Sequence, residues 1–145
     1  MQMPSRKLSK VDFEALAGFR YQLRRFLRSS EEATRRHEVS PLQYQLLLQV
    51  KGFPGREWAT VLELAERLQA RHHGVVALIS RCEAAGLVHR SPSRSDQRRV
   101  EVHLTRSGEH CLERLGRLCR DELQSVKSGF IACLTAPQST QRSKA

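Results

Sequence analysis

Hydrophobic residues recur at intervals of three and four positions near the start of the chain. They are Leu16, Phe19, Leu23, Phe26 and Leu27. This spacing places them on one face of a helix that runs from about Lys10 to Arg36. Arginines crowd the opposite side of the same helix. The segment therefore predicts a long amphipathic helix with a single apolar stripe.

Two shorter helices follow. Ser40 is a favourable N-cap, and Pro41 suits the first helical position because an N–H there has no partner within the helix in any case. The glycines and proline of residues 52–55 then break the second helix. Thr60 to Glu63 has the pattern of a capping box, which predicts a third helix that ends near Leu68.

Helical periodicity resumes after a turn of only three residues, 69–71. Its apolar positions run from Val75 to Ala85, and the pattern stops at Gly86, a usual C-terminal capping residue. Two short helices joined by so tight a turn are typical of a helix-turn-helix. Because the apolar face must pack on the core, positions 72, 73, 76, 77 and 80 are expected to point outward.

A β-hairpin is predicted next. Its strands are residues 87–90 and 100–104, the second with strict apolar-polar alternation, and the polar residues between them, Pro92 included, form its loop. Thr105 caps a final helical region, with a division into two helices near Arg120 left open. The pattern predicts a fold that is mainly α with a small β-hairpin.

The charge of the chain narrows the choice of partner. Among 145 residues, 25 Lys and Arg stand against 15 Asp and Glu, a net charge of +10, and 20 of the cations are Arg. Such an excess predicts a polyanionic partner, while 39% hydrophobic residues predict a folded domain rather than a disordered basic tail. The chain has no apolar run of ~20 residues, so we expect no contact with membranes. It also shows no visible secretory signal and has only four sparse cysteines, so we expect a cytoplasmic protein.

A helix-turn-helix followed by a hairpin with a basic loop predicts a winged helix on DNA. The second helix of the pair fits the major groove, the wing suits phosphates or a narrow minor groove, and the N-terminal amides of the third helix face a phosphate. The candidate DNA-binding residues are Thr60, Arg71, His72, His73, Val76, Ser80, Arg81, Arg94, Asp96, Arg98 and Arg99. Among them, the expected base readers are His72, His73, Val76 and Ser80, and the expected phosphate ligands are Arg71, Arg81 and Arg94.

The chain from about Asp12 to Leu134 resembles the multiple antibiotic resistance regulator (MarR) family of winged-helix transcription factors. The resemblance is most specific in the wing, where the family has Asp-x-Arg, an alternating strand and Leu-Thr-x-x-Gly. The matching residues are Asp96, Arg98, Leu104, Thr105 and Gly108. The resemblance implies that Arg98 reaches the minor groove and that Asp96 positions it.

Three departures from the family pattern limit what the resemblance implies. Arg71 to Gly74 stands where members often have a small capping residue followed by Ser, Thr or Pro, so no base preference is carried over. Cys82 replaces a usual Leu, and we expect it to fill the core beneath the recognition helix. Redox-sensing members of the family carry a reactive cysteine in the first helix, but this chain has no cysteine before Cys82. The absence removes most of the support for a peroxide sensor.

The amphipathic flanks and the resemblance together imply a homodimer on a pseudo-palindromic operator with half-sites ~10 bp apart. The family also implies a repressor released by a small phenolic or anionic ligand, for which Arg24 and Tyr44 are the candidate contacts. One domain would span residues 1–145. Its parts would be dimerisation helices at 10–36 and 106–134, a winged-helix lobe at 40–105 and a flexible tail at 135–145.

Two other interpretations remain. One is an architectural protein that coats DNA without sequence preference; the other is a metal- or redox-responsive regulator. The second would use His37 and His110 as metal ligands, or Cys111 and Cys119 in a bridge between subunits. We expect neither arrangement, and no metal or other cofactor. We also expect no enzyme, because the chain has no phosphate-binding loop, zinc-protease motif or nucleophile elbow.

Overall fold

The computed structural model describes residues 6–135, and within them the chain forms five helices and three strands. The helices are α1 (Lys10–Arg35), α2 (Pro41–Lys51), α3 (Val61–Leu68), α4 (His72–Ala84) and α5 (Arg106–Leu134). The strands are β1 (Trp58–Thr60), β2 (Val88–Pro92) and β3 (Val100–Leu104). The predicted fold class, mainly α with a small β element, is confirmed. The predicted flexible tail lies, from residue 136 onward, outside the described residues.

The described residues form two compact units. The winged-helix unit is Ser30–Cys119, and the terminal-helix unit combines the chain up to Ser29 with the chain from Arg120 onward. The end of α1 and the first half of α5 therefore pack with the winged helix, beyond the borders at 40 and 105 that the sequence predicts for this lobe. No helix within residues 6–135 is long and apolar enough to span a membrane.

The sheet has three strands in the order β1-β3-β2, all antiparallel. Sequence patterns predict the β2–β3 hairpin but miss β1, because three residues are too few to show alternation. Trp58 pairs with His103 of the central strand, which in turn pairs with His89. The first strand of the hairpin also extends farther than predicted. Pro92 belongs to β2 rather than to the loop, which its missing N–H allows because β2 is an edge strand.

The final helix is continuous, without the division near Arg120 that the sequence left open. Buried positions recur along it at helical spacing, at Leu115, Cys119 and Val126, and no proline interrupts them. The core of the winged-helix unit lies between α2, α3, α4 and the inner face of the sheet. Its fully buried side chains include Leu46, Leu47, Val50, Leu64, Val75, Ile79, Cys82, Val88 and Val102.

Capping fixes where the helices begin. Ser40 forms a complete capping box with Gln43 at the start of α2. Thr60 forms the predicted capping box with Glu63: the Thr60 amide donates to Glu63 Oε1 (3.0 Å), and the Glu63 amide donates to Thr60 Oγ1 (3.3 Å). Because Thr60 ends β1 and caps α3, it joins the sheet directly to the helix-turn-helix.

Candidate nucleic-acid interface

Helix α4 buries one face and exposes the other, as the periodicity predicts. Its inner face consists of Val75, Leu78, Ile79 and Cys82. His72 and His73 are exposed at its N-terminal end, and Val76 lies half-buried one turn farther on. Arg71 occupies the N-cap position, and its side chain makes no capping hydrogen bond. This exposed end therefore presents two imidazoles and a guanidinium to solvent.

The wing is a seven-residue loop held by its own hydrogen bonds. The Ser93 amide donates to Arg99 O (3.0 Å), and the Arg99 amide donates to Asp96 O (3.0 Å). Asp96 Oδ1 accepts from the Arg98 amide at 3.0 Å, and its other oxygen lies 3.8 Å from Arg99 Nε. The Asp96 carboxylate thus fixes the backbone of the loop and leaves the side chain of Arg98 exposed at its tip.

A groove lies between the wing, the start of α3 and the start of α4. Its volume is about 420 Å³. It brings together five of the candidate residues, namely Thr60, His72, Val76, Arg98 and Arg99. Apolar side chains of Leu62 and Val100 line it as well. An imidazole from a helix and two guanidinium groups from a loop therefore line one concave surface in the winged-helix unit.

Thr60 contributes to this groove through its position rather than through a free hydroxyl. The side chain is buried, and its oxygen accepts the hydrogen bond of the capping box. Burial disfavours the charged form of the neighbouring Glu63 carboxyl, but hydrogen bonds from Thr60 and the charge of Arg56 together lower its pKa below the ordinary value. The capping box aims the N-terminus of α3 into the groove.

Arg94 lies on a different surface from the one that the sequence suggests. It lines a second cavity of about 440 Å³ with outer-face residues of the sheet such as His89 and His103, and it is not among the residues that line the groove. The outer face carries a column of stacked planar groups: Arg56 lies 3.9 Å from the Trp58 ring, Trp58 lies 6.1 Å from His103, and His103 lies 5.3 Å from His89. The register of the three strands creates this column, which sequence analysis missed with β1.

Ser80 is already engaged within the protein. Its hydroxyl donates to Val76 O (3.0 Å) and accepts from the guanidinium of Arg90 (2.8 Å). Arg90 itself lines the groove and was not among the predicted site residues. The only sequence signal for it was a basic residue in a strand next to the recognition helix, which does not distinguish it from any solvated strand residue.

Residues 37–99 match the model of the MarR family. The predicted resemblance is confirmed over this range, which contains α2, α3, α4, β1, β2 and the wing.

Several solved structures, E. coli MarR among them, share the fold of this chain. A mutant of E. coli MarR complexed with operator DNA is 22% identical, with a TM-score of 0.66 over 79% of this chain and 84% of that one. AbsC, a MarR family transcriptional regulator from Streptomyces coelicolor, is 22% identical, with a TM-score of 0.67 over 92% and 86%. A mutant of S. aureus MepR bound to an oligodeoxyribonucleotide is 21% identical, with a TM-score of 0.60 over 76% and 79%. No curated protein sequence matches the chain.

The two residues proposed as ligand contacts by analogy with MarR regulators lie in different units. Tyr44 is buried in the core of the winged-helix unit, where burial and a hydrogen bond with Cys119 raise the pKa of its phenol. Arg24 is exposed on α1 in the terminal-helix unit. Tyr44 therefore packs as a core residue, because its ring completes the cluster around α2.

The cysteines of the winged-helix unit are buried thiols. Cys82 fills the core beneath α4, as expected, and burial raises its pKa to about 11. Burial also raises the pKa of Cys111, and Cys119 lies 3.2 Å from the Ser30 hydroxyl. These positions disfavour a bridge between subunits through Cys111 or Cys119. Among residues 6–135, no group of three or more His, Cys, Asp or Glu side chains could hold a metal ion.

Proposed function

We propose that this protein is a sequence-specific DNA-binding transcription regulator that acts as a homodimer. The observation that carries the proposal is the groove in which His72 and Val76 of α4 face Arg98 and Arg99 of the wing. A helix that enters the major groove and a basic loop beside it are the two parts that a winged helix applies to duplex DNA.

The proposed division of labour follows the exposure of each side chain. His72, His73 and Val76 read base edges, because they form the outward side of the N-terminal half of α4. Arg71 and Arg81 hold phosphates at the two ends of the helix. Arg98 enters the minor groove, with its backbone held by Asp96.

The terminal-helix unit supports the homodimer. Large hydrophobic side chains remain exposed along both of its helices, at Val11, Phe13, Leu16, Phe19, Leu23, Leu27, Leu123, Ile131 and Leu134. An apolar surface of this extent on a single chain is typical of an interface with a partner. In a two-fold dimer the recognition helices meet successive major grooves, so the operator is a pseudo-palindrome with half-sites ~10 bp apart.

The regulatory part of the proposal rests on the family alone. We place this protein among repressors that block a promoter and that a small phenolic or anionic ligand releases by changing the spacing of the two winged lobes. Arg24 is the remaining candidate for contact with such a ligand, because its exposed guanidinium is able to pair with an anion.

Footprinting on the DNA that flanks the gene tests the proposal. We expect a protected pseudo-palindrome, bound at least about 1,000-fold more tightly than random duplex at physiological salt. Arg98→Ala should weaken operator binding and reduce the slope of log affinity against log salt by about 1, because one cation then leaves the phosphates.

Arg117→Ala is the matched control for Arg98→Ala. It removes the same charge from an exposed position on α5, outside the groove. It should leave both the affinity and the salt slope unchanged. Equal affinity for random duplex and for the flanking DNA would instead support the architectural protein, and an unchanged slope for Arg98→Ala would refute the role of the wing.

A further inference from the structure

The side chain of Arg90 connects the hairpin to the recognition helix. Its Nη1 donates to Glu83 Oε1 (2.9 Å), and its backbone amide donates to Glu83 Oε2 (3.1 Å). Its Nη2 donates to Ser80 Oγ (2.8 Å) and to Val76 O (3.3 Å). One arginine of β2 therefore holds three positions of α4, and both oxygens of one carboxylate accept from it.

The three positions that Arg90 holds follow one face of the helix. Val76, Ser80 and Glu83 are separated by four and three residues, so they lie above one another over two turns of α4. Arg90 stands opposite Val102 of the central strand. These four hydrogen bonds thus join two turns of the recognition helix to the strand that leads into the wing.

The length of the wing makes this joint important. Asp96 lies six positions after Arg90, which corresponds to at most about 20 Å of extended chain. A rotation of the hairpin by about 10° relative to α4 would move the tip by about 3 Å, the length of one hydrogen bond. A helix and a wing that must enter two grooves at once cannot tolerate such an error.

We propose that Arg90 is a positioning residue that fixes the direction of the wing relative to the recognition helix, and that Glu83 and Ser80 belong to this joint rather than to the base-reading surface. The proposal rests on the proposed function, since it concerns how the same interface fits DNA. It assigns a structural task to Ser80, whose hydroxyl both donates and accepts within the joint.

The rival role for Arg90 is a direct phosphate contact, because its side chain also lines the groove. The ion pair with Glu83 argues against it. A guanidinium whose charge is balanced by a carboxylate at 2.9 Å adds little net charge to the groove. In contrast, Asp96 accepts a hydrogen bond from the backbone amide of Arg98 and not from its guanidinium.

A charge exchange between the two residues separates these roles. Arg90→Glu and Glu83→Arg should each weaken operator binding about tenfold or more, because each leaves two like charges facing each other in the joint. The double variant, with both exchanges, should recover operator affinity to within about threefold of the wild type. A phosphate contact predicts the opposite sign for Glu83→Arg, since an added cation in the groove would tighten binding.

A conservative substitution provides a second measurement that does not depend on the folding of the exchange variants. Arg90→Lys keeps the positive charge but not the planar fork that reaches Glu83 and Ser80 together. We expect it to weaken operator binding about tenfold with an unchanged salt slope and unchanged affinity for random duplex. Retained operator affinity in Arg90→Lys, or tighter binding by Glu83→Arg, would overturn the inference.

Operator binding by the wild-type protein distinguishes a failure of this inference from a failure of the proposed function. If the wild type bound no flanking DNA in preference to random duplex, the proposed function would fail first. If the wild type bound its operator specifically and every variant at positions 83 and 90 bound equally well, only the role of Arg90 would fail. Thermal unfolding of each variant, followed by circular dichroism, shows that a folded protein is being compared.

Discussion

The two units of this chain use the same kind of amphipathic helix with opposite results. In the winged-helix unit, helices α2, α3 and α4 turn their apolar faces onto the sheet and onto one another, and side chains such as Leu47 and Ile79 are fully buried. In the terminal-helix unit, the equally regular stripe of α1 stays exposed: Leu16 retains 56% of its surface. Among the described residues of that unit, Val126 is the only buried hydrophobic residue.

This difference shows that apolar periodicity predicts an interface but not its partner. The winged-helix unit completes its core with residues of one chain, while the terminal-helix unit has aromatic contact between Phe19 and Phe130 (5.4 Å between ring centroids) and little else buried. Burying a large apolar side chain is worth about 1.5–3 kcal/mol. Burial of the exposed stripe against a second copy of the chain would therefore contribute a large favourable free energy of association.

The largest predicted effect comes from placing a charge in the exposed stripe. Leu16→Glu should dissociate the proposed homodimer, because a carboxylate in an apolar seam pays a large cost of desolvation. Sedimentation equilibrium should give the mass of one chain, 16.6 kDa, where the wild type gives twice that mass. Operator affinity should fall by at least about 100-fold, since one half-site is lost.

Leu42→Glu is the matched control, because Leu42 is exposed to the same 56% but lies on α2 in the winged-helix unit. It should leave the mass and the operator affinity unchanged. A wild type that sediments as a single chain, or a Leu16→Glu variant that stays dimeric, would contradict the assignment of this stripe to the dimer.

The second prediction contrasts a core position with a seam position. Ile79→Ala should lower the free energy of unfolding by about 2–5 kcal/mol at every protein concentration, because it leaves a cavity within one chain. Leu123→Ala, at a position 47% exposed, should reduce stability in a manner that depends on protein concentration, since the lost contact lies between chains. Thermal unfolding over a hundredfold range of concentration distinguishes the two; equal concentration dependence would remove the contrast.

Much of the fold follows from local sequence signals. The caps at Ser40 and Thr60, the tight turn at 69–71 and the alternation of 100–104 predict α2, α3, α4 and β3 correctly. Strand β1 does not follow from them, because Trp58 to Thr60 becomes a strand only through pairing with β3. Long-range pairing is not encoded in the three residues themselves.

The candidate site was less accessible to sequence analysis than the fold. Charge and helical phase select outward-facing residues of α4 and of the wing, and four of them, His72, Val76, Arg98 and Arg99, do line one groove. Helical phase does not show which outward-facing side chains already form hydrogen bonds within the protein. Ser80 and Arg90 meet only when β2 lies beside α4, and Arg94 lines the second cavity because of the path of the wing loop, which helical phase does not describe.

The third prediction concerns glycines at close contacts in the two units. A Cβ on Gly108 would collide with the backbone carbonyl of Leu87, so Gly108→Ala should cost about 1–3 kcal/mol of unfolding free energy. A Cβ on Gly129 would meet only the side-chain end of Gln22, which is able to move, so Gly129→Ala should cost less. Urea unfolding measures both values.

Gly116→Ala is the control for both glycine substitutions, because nothing lies within 4 Å of its added Cβ on the same helix. It should stabilise the protein by about 0.5–1 kcal/mol through helix propensity alone. If Gly108→Ala were as stable as Gly116→Ala, the close approach of α5 to the chain before β2 would be refuted.

The smallest predicted effect is confined to the winged-helix unit and depends on pH. Glu63→Gln keeps a side chain that completes the capping box with Thr60 but removes the negative charge beside Arg56. Because hydrogen bonds and charge hold the pKa of Glu63 below its ordinary value of 4.5, the carboxylate stabilises the folded state above that pH, and this contribution is lost as the pH falls through the lowered folded-state pKa. The variant should therefore be less stable than the wild type by about 1 kcal/mol at pH 7, and the difference should shrink toward zero in acid.

Glu66→Gln, at an exposed position of the same helix, separates this effect from a general change in charge. It should change the free energy of unfolding by no more than about 0.5 kcal/mol at either pH. Neither substitution should alter the sedimentation mass, because α3 lies in the unit that completes its core within one chain. A drop in mass for Glu63→Gln would mean that the winged-helix unit also contributes to the dimer, and the contrast between the two units would then have to be redrawn around α3.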